Sequence, residues 1–219
     1  GAGNAETVVA WHGLARTGRD FDVIAAKLAS RYRVICPDTL GRGFSQWSAD
    51  PEREYCLDFY AKTAVSLVDQ LGIRSMRWLG TSMGGALGIV LAAGELKGRI
   101  RKLVLNDIGP QLAAPAVERI RAYAGNPMAF DRMSELEKMF RMVYAPFGKL
   151  TDEEWRRLAE TSMRRTPEGK FTPHYDPKMV LQFMLHPSDY DRWDEWDRIT
   201  APTICLRGES SDLLLPEVA

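Results

Sequence analysis

The chain has 219 residues, of which 45% are hydrophobic and 26% are charged, and its formal net charge is zero. These values are typical of a globular domain, and they lack the basic excess of a nucleic-acid-binding protein. The longest stretch without a charged residue, 78–94, contains five glycines and is short for a membrane span. We therefore expect neither a nucleic-acid nor a membrane partner. Three widely spaced cysteines favour a reducing, cytoplasmic location.

Short apolar runs alternate with amphipathic stretches along the first half of the chain. Strands are predicted at 7–11, 34–36, 76–79 and 103–105, and again at 203–206. Helical spacing of apolar residues predicts helices at 21–28, 59–71 and 83–93. Strands that are apolar throughout and alternate with helices indicate an α/β fold, with a mostly parallel sheet covered by helices on both faces.

This alternation breaks between residues 110 and 196, where the sequence has no strand-like run. Helices are predicted instead around 116–124, 134–143, 152–161 and 178–185, and prolines separate them. The strand at 203–206 then resumes the sheet. We therefore predict a core formed by 1–109 and 197–219, incomplete at both ends, with a helical segment at 110–196 inserted into it.

Ser82 lies in a glycine-rich turn between a predicted strand and a predicted helix. Gly80 and Gly84 flank it in the pattern G-x-S-x-G. Such a turn is sharp and strained, and side chains two residues to either side of the serine would clash. The turn lifts the serine to a helix N-terminus, whose amide groups favour negative charge. We therefore predict that Ser82 is a catalytic nucleophile.

Three further segments accompany this turn in a characteristic order. They are Trp11-His12-Gly13-Leu14 after the first strand, DTLGRGFS at 38–45 after the second, and Arg207-Gly208-Glu209-Ser210-Ser211-Asp212 after the last. Together with the serine turn they resemble the α/β-hydrolase superfamily over essentially the whole chain. The resemblance implies a hydrolase that needs no cofactor or metal, with a helical cap formed by the segment 110–196.

The resemblance also implies how the serine is assisted. The backbone N–H groups of Leu14 and Met83 would form the oxyanion hole that stabilises the tetrahedral intermediate. His12 and Gly13 precede Leu14, and the resemblance implies that they support this loop, with His12 not acting as the base.

Two carboxylates are candidates for the acid that orients the catalytic base. The resemblance favours Asp212, since Pro216 follows it at the family's spacing, although Ser211 fills the position where the family usually has aspartate. Asp107 follows the strand before the insert and is the alternative acid. If Asp107 is not the acid, we expect it to be a turn residue at the end of that strand.

The family places the catalytic histidine after the acid. The histidines of this chain, His12, His174 and His186, all precede Asp212. We therefore expect the catalytic histidine to lie outside this chain, in a longer protein. By the same resemblance, Gly1-Ala2-Gly3 is expected to be the turn before the strand that the family places third.

These observations predict a serine hydrolase that acts on a small, largely apolar ester, lactone or thioester through an acyl-enzyme. Its partner would be a small-molecule substrate, and it would be a monomer or a homodimer. One alternative is hydrolysis of carbon–carbon bonds with the same three residues. Another is a non-catalytic ligand-binding protein of the same fold. A serine at position 82 argues against the dehalogenase and epoxide hydrolase branches, which have aspartate there.

Overall fold

The computed structural model of the chain describes residues 3, 4 and 6–219. Its strands are β1 (Thr7–Trp11), β2 (Arg33–Ile35), β3 (Met76–Thr81), β4 (Ile100–Asn106), β5 (Met163–Arg165), β6 (Phe171–Pro173) and β7 (Thr203–Leu206). Five of them form a parallel sheet in the order β2-β1-β3-β4-β7. This confirms the predicted parallel α/β sheet. The turn predicted at Gly1-Ala2-Gly3 falls mostly outside the described residues.

Helices follow most of these strands, as the sequence predicts. They are α1 (Asp22–Leu28), α2 (Pro51–Glu54), α3 (Leu57–Gln70), α4 (Met83–Ala93), α5 (Ala114–Ala124), α6 (Met133–Val143), α7 (Asp152–Thr161), α8 (Gln182–Leu185) and α9 (Trp193–Trp196). Short 3-10 turns lie at Gly18–Phe21, Ala145–Phe147, Pro177–Leu181 and Pro187–Tyr190. Within the described residues, every helix is too short or too polar to cross a lipid bilayer.

The centre of the sheet is packed around Trp11 of β1 and Trp78 of β3. Their rings stack with centroids 5.3 Å apart and planes 12° apart. The helix α4 lies against these strands and buries nearly all of its residues. A side chain at Gly88 would strike the Trp78 indole, so glycine lets α4 approach the sheet closely. This close packing fixes the position of the first residues of α4, and therefore that of Ser82, which directly precedes the helix.

The segment between β4 and β7 is mostly helical and has a small apolar core of its own. That core contains Leu136, Phe140, Tyr144, Trp155 and Ala159. The prediction that no strand occurs in 110–196 is wrong, because β5 and β6 pair as an antiparallel hairpin. Each strand has three residues, too few to give an alternating pattern. The turn between them is made by Gly169 at a φ of 83°. This hairpin is separate from the main sheet.

Candidate active site

Ser82 occupies a strained turn between β3 and α4. Its φ is 49° and its ψ is −118°, in a region that residues with a side chain rarely adopt. Its N–H donates to the Asn106 carbonyl at 3.0 Å, and its own carbonyl accepts from the N–H groups of Gly85 and Ala86. A Cβ at Gly80 would overlap the backbone of Gly84. The turn therefore requires glycine beside the serine, and the flanking strands and helix hold its geometry.

The loop after β1 lies directly beside Ser82. β1 and β3 pair in parallel with Trp11 opposite Gly80, so the loops that follow them meet at the same edge of the sheet. A Cβ built on Gly13 would lie 3.6 Å from the Ser82 Cβ. In the part of the chain that the structure describes, neither the Leu14 nor the Met83 N–H donates a hydrogen bond. Neither backbone N–H therefore has a partner among the described residues.

His12 is engaged at both ring nitrogens. The Thr39 N–H donates to Nε2 at 2.9 Å, so Nε2 must be unprotonated. Nδ1 then carries the proton and donates to the Gly13 carbonyl at 2.7 Å. Burial is the main cause that lowers the pKa of His12 to about 4. The neutral ring ties the Gly13 loop to the segment after β2, and neither nitrogen is left for proton transfer.

Asp107 and Asp212 both line the cavity that contains Ser82. Asp107 follows β4 at a φ of 58°, and its Oδ1 lies 3.4 Å from the Gly208 N–H. Asp212 lies in the loop after β7, where Arg119 of α5 donates to both of its carboxylate oxygens at 2.8 and 2.9 Å. The two carboxylates thus line the cavity from neighbouring strand ends, and among the described residues only that of Asp212 forms an ion pair.

The cavity has a volume of about 590 Å³ and lies between the sheet and the inserted segment. The core contributes Ser82 and the loops after β1, β4 and β7, whereas the segment 110–196 contributes mainly apolar and aromatic side chains. Those include Ile120, Tyr123, Tyr144, Phe147 and Leu158. Natural ligand cavities span roughly 300–1,000 Å³, so this one accommodates a small organic molecule.

The histidines of the insert lie elsewhere. His174 packs edge-on against Phe44, with ring centroids 5.3 Å apart, and His186 Nε2 lies 2.8 Å from the Glu52 carbonyl oxygen. None of the three histidines of the chain lines the cavity. Within residues 3, 4 and 6–219, no cluster of three or more histidine, cysteine or carboxylate side chains is arranged to hold a metal ion.

Sequence reasoning missed two arginines at this site. Arg16 is buried beside Gly13, pairs with Asp20 and places its guanidinium 4.9 Å from the centre of the Tyr144 ring. Burial is the largest single influence on the pKa of Arg16 and lowers it, but the charge and hydrogen bond of Asp20, together with Tyr144, more than offset burial, so the pKa is raised. Arg119 pairs with Asp212 from a helix 93 residues earlier. Neither arginine belongs to a motif, so only their positions in the fold connect them to the site.

Comparisons with known proteins agree with this fold. A family model described as alpha/beta hydrolase fold matches residues 6–142. The 3-hydroxybutyrate-oligomer hydrolase of Cupriavidus necator is 40% identical over 98% of this chain and 75% of its own length. The 2-hydroxymuconate semialdehyde hydrolase of Pseudomonas sp. CF600 is 31% identical over 63% of this chain and 45% of its own length.

A solved structure is also similar over nearly the whole chain. It is an alpha/beta hydrolase from Novosphingobium aromaticivorans that is 32% identical, with a TM-score of 0.85. The match covers 98% of this chain and 76% of that protein. The likeness therefore extends beyond the sheet to the inserted segment.

Proposed function

The chain belongs to the α/β hydrolase family, and from this premise we propose that it is a serine hydrolase that cleaves short oligoesters of a hydroxy acid. The observation that carries this proposal is the position of Ser82. It stands on a strained turn at the start of α4, and it lines the cavity beside Gly13. Strain of this kind persists where the surrounding structure enforces it, and it is concentrated at active sites.

In the proposed reaction the Ser82 hydroxyl oxygen attacks the ester carbonyl carbon, and a base accepts the hydroxyl proton. The carbonyl oxygen becomes an oxyanion, which the N–H groups of Leu14 and Met83 stabilise. Both N–H groups lack a partner within the described residues, and the start of α4 favours negative charge. Collapse of the intermediate expels the alcohol, which receives the proton from the base. Water then hydrolyses the acyl-enzyme by the same steps.

We assign Asp212 the role of the acid that orients the base, with Asp107 as the alternative. The base itself is assigned to a histidine outside these 219 residues. Both nitrogens of His12 are already engaged, and neither His174 nor His186 lines the cavity. The relative from Cupriavidus necator, which this chain covers to 75% of its length, is longer than this chain.

We infer the substrate class from the side chains that line the cavity and from the oligomer hydrolase of Cupriavidus necator. We assign the segment 110–196 the role of a cap, since its apolar and aromatic side chains line the cavity and suit the methyl-bearing chain of a hydroxybutyrate oligomer. Such an oligomer also carries one terminal carboxylate. Arg157 of α7 lines the cavity and forms no ion pair within the described residues. Its guanidinium is available for that carboxylate.

Hydrolysis of a carbon–carbon bond is the second candidate, because the relative from Pseudomonas sp. CF600 acts on 2-hydroxymuconate semialdehyde by name. The similarity covers less of this chain than that of the oligomer hydrolase, and its identity is lower. An ester substrate is therefore the better match. Because the two reactions give different products, product analysis distinguishes them.

The test uses the natural protein with a linear 3-hydroxybutyrate trimer and with 2-hydroxymuconate semialdehyde. We expect the trimer to be hydrolysed to the monomer and the semialdehyde to be left intact. Ser82→Ala should abolish turnover and labelling by a fluorophosphonate. Ser210→Ala is the matched control, because Ser210 is exposed and lines the same cavity. Binding of the trimer without turnover would identify a ligand-binding protein and contradict the proposal.

A further inference from the structure

Arg42 is a fully buried cation outside the substrate cavity. It lies in the loop after β2, has an exposed fraction of 0% and does not line the cavity. Within the described residues, no carboxylate oxygen lies within 4.0 Å of its guanidinium nitrogens. A buried charge is costly unless the surrounding groups compensate it. The contacts that compensate Arg42 therefore indicate what it does.

Two of these contacts go to the residues that supply the proposed oxyanion hole. Arg42 Nε donates to the Leu14 carbonyl at 2.9 Å, and Nη2 lies 3.5 Å from the Met83 sulfur. Leu14 lies in the loop after β1, whereas Met83 is the first residue of α4, which follows β3. One planar guanidinium thus connects the two segments whose N–H groups must converge on a single oxygen atom.

The remaining contacts fix the guanidinium itself. Nη1 donates to the Leu40 carbonyl at 2.6 Å and to the Tyr60 hydroxyl at 2.8 Å. The rings of Tyr60 and Tyr55 lie with centroids 5.0 and 5.4 Å from the guanidinium carbon, where they stabilise its charge. The side chain is therefore held from several directions, and its Nε and Nη2 have defined positions.

The backbone of Arg42 is held by the inserted segment. Residues on either side of it pair with the strand-like stretch before the 3-10 turn at 177–181. The Gly43 N–H donates to the His174 carbonyl at 2.9 Å, and the Gly41 carbonyl accepts from the Asp176 N–H at 2.7 Å. The arginine is thus fixed at both its backbone and its side chain.

We infer that Arg42 is the positioning residue of the oxyanion hole. It acts through the Leu14 carbonyl and the Met83 side chain, and so sets the distance between the two N–H donors. This inference rests on the proposed function, since it concerns the same oxyanion. Loss of one donor in such a hole lowers kcat by roughly 10²–10³-fold, because the interaction forms only in the transition state. Loss of Arg42 would misplace two donors without removing either of them.

The experiment compares Arg42→Lys and Arg42→Met with the unchanged natural protein, using trimer hydrolysis and an alkylboronate that forms a tetrahedral adduct with serine. Lysine keeps the charge but has one nitrogen, which cannot reach Leu14, Leu40 and Met83 together. We expect both variants to lose about 10²-fold in kcat, with KM little changed and boronate affinity lowered in proportion. A lysine variant with normal kcat and boronate affinity would overturn the inference.

A second pair of variants keeps the test decisive if the Arg42 variants do not fold. Met83→Leu removes the sulfur that faces Arg42 and keeps the backbone N–H. Met76→Leu is the matched control, because Met76 is also buried and, within the described residues, makes no hydrogen bond to Arg42. We expect a lower kcat for Met83→Leu alone, and equal kcat values would overturn the inference. A natural protein that hydrolyses no ester would instead contradict the proposed function itself.

Discussion

Arg119 of α5 holds both carboxylate oxygens of Asp212, with Nε–Oδ2 and Nη2–Oδ1 distances of 2.9 and 2.8 Å. The contact joins the inserted segment to the loop after β7 at the wall of the cavity that contains Ser82. An acid that orients an imidazole must offer it at least one oxygen. Asp212 can therefore serve the proposed base only if Arg119 shares or releases this carboxylate.

The choice between the two acids is tested by Asp212→Asn and Asp107→Asn in the natural protein. We expect Asp212→Asn to lower kcat strongly, by about 10⁴-fold if it behaves like the best-studied triad. Asp107→Asn should be much milder, since Asp107 ends a strand and accepts from the Gly208 N–H. Steady-state kinetics of both variants with the trimer as substrate distinguish the two candidate acids. The reverse pattern would show that Asp107 is the acid.

Arg119→Gln tests whether the ion pair is needed for the reaction. Because both partners are partly exposed, the pair contributes about 0–1 kcal/mol to stability. Removing a group that competes for the Asp212 oxygens should leave kcat unchanged or raise it. Arg121→Gln is the control, since it breaks the ion pair with Glu118 on the same helix, away from the cavity. A lower kcat for Arg119→Gln alone would show that the guanidinium itself takes part.

The sheet was predictable because its signals are local. Continuous apolar runs predicted β1 and β3, although β3 extends two residues beyond its predicted end, and the glycines around Ser82 predicted the start of α4 at the observed residue. The hairpin of β5 and β6 was missed because each strand has three residues. The contacts of Arg42 with Leu14 and Met83, and that of Arg119 with Asp212, were not predicted either. Each depends on segments that only the fold brings together, and no local pattern reports such a contact.

The neutral state of His12 makes stability depend on pH. Burial lowers its pKa from 6.5 to about 4. Between these values the unfolded chain binds a proton that the folded chain does not, so the free energy of unfolding falls as pH decreases. The slope reaches at most about 1.4 kcal/mol per pH unit for one proton. The free energy of unfolding can be measured by denaturant titrations at several pH values across this range. Its slope against pH should be smaller for His12→Asn than for the His186→Gln control. Equal slopes would mean that His12 is not held neutral.

The assignment of the base is tested at the remaining histidines. His174 packs on Phe44 and His186 contacts the Glu52 carbonyl, both outside the cavity. We therefore expect His174→Gln and His186→Gln to keep full turnover of the trimer in the natural protein. Substitution of one histidine outside these 219 residues should abolish it. Loss of turnover in either variant within the chain, with the fold intact by circular dichroism, would place the base inside it.

The variants Gly84→Ala and Gly13→Ala test whether each glycine is required for folding or for catalysis. A methyl group at Gly84 would overlap the backbone carbonyl of Trp11. Neither of these two backbone segments can move easily in the packed core. Gly84→Ala should therefore destabilise the protein by about 3 kcal/mol. A methyl group at Gly13 meets only ordinary contacts, the nearest being the Ser82 Cβ at 3.6 Å, and Gly13 does not have a positive φ.

Gly13→Ala should therefore fold with nearly normal stability, while its methyl group occupies space beside the nucleophile. We expect kcat/KM for the trimer to fall at least tenfold, equivalent to about 1.4 kcal/mol in activation free energy. Thermal unfolding and steady-state kinetics on both variants provide the measurement. If Gly13→Ala kept full activity, the space between Gly13 and Ser82 would not be where the ester carbonyl binds. The oxyanion hole would then have to be sought at other N–H groups.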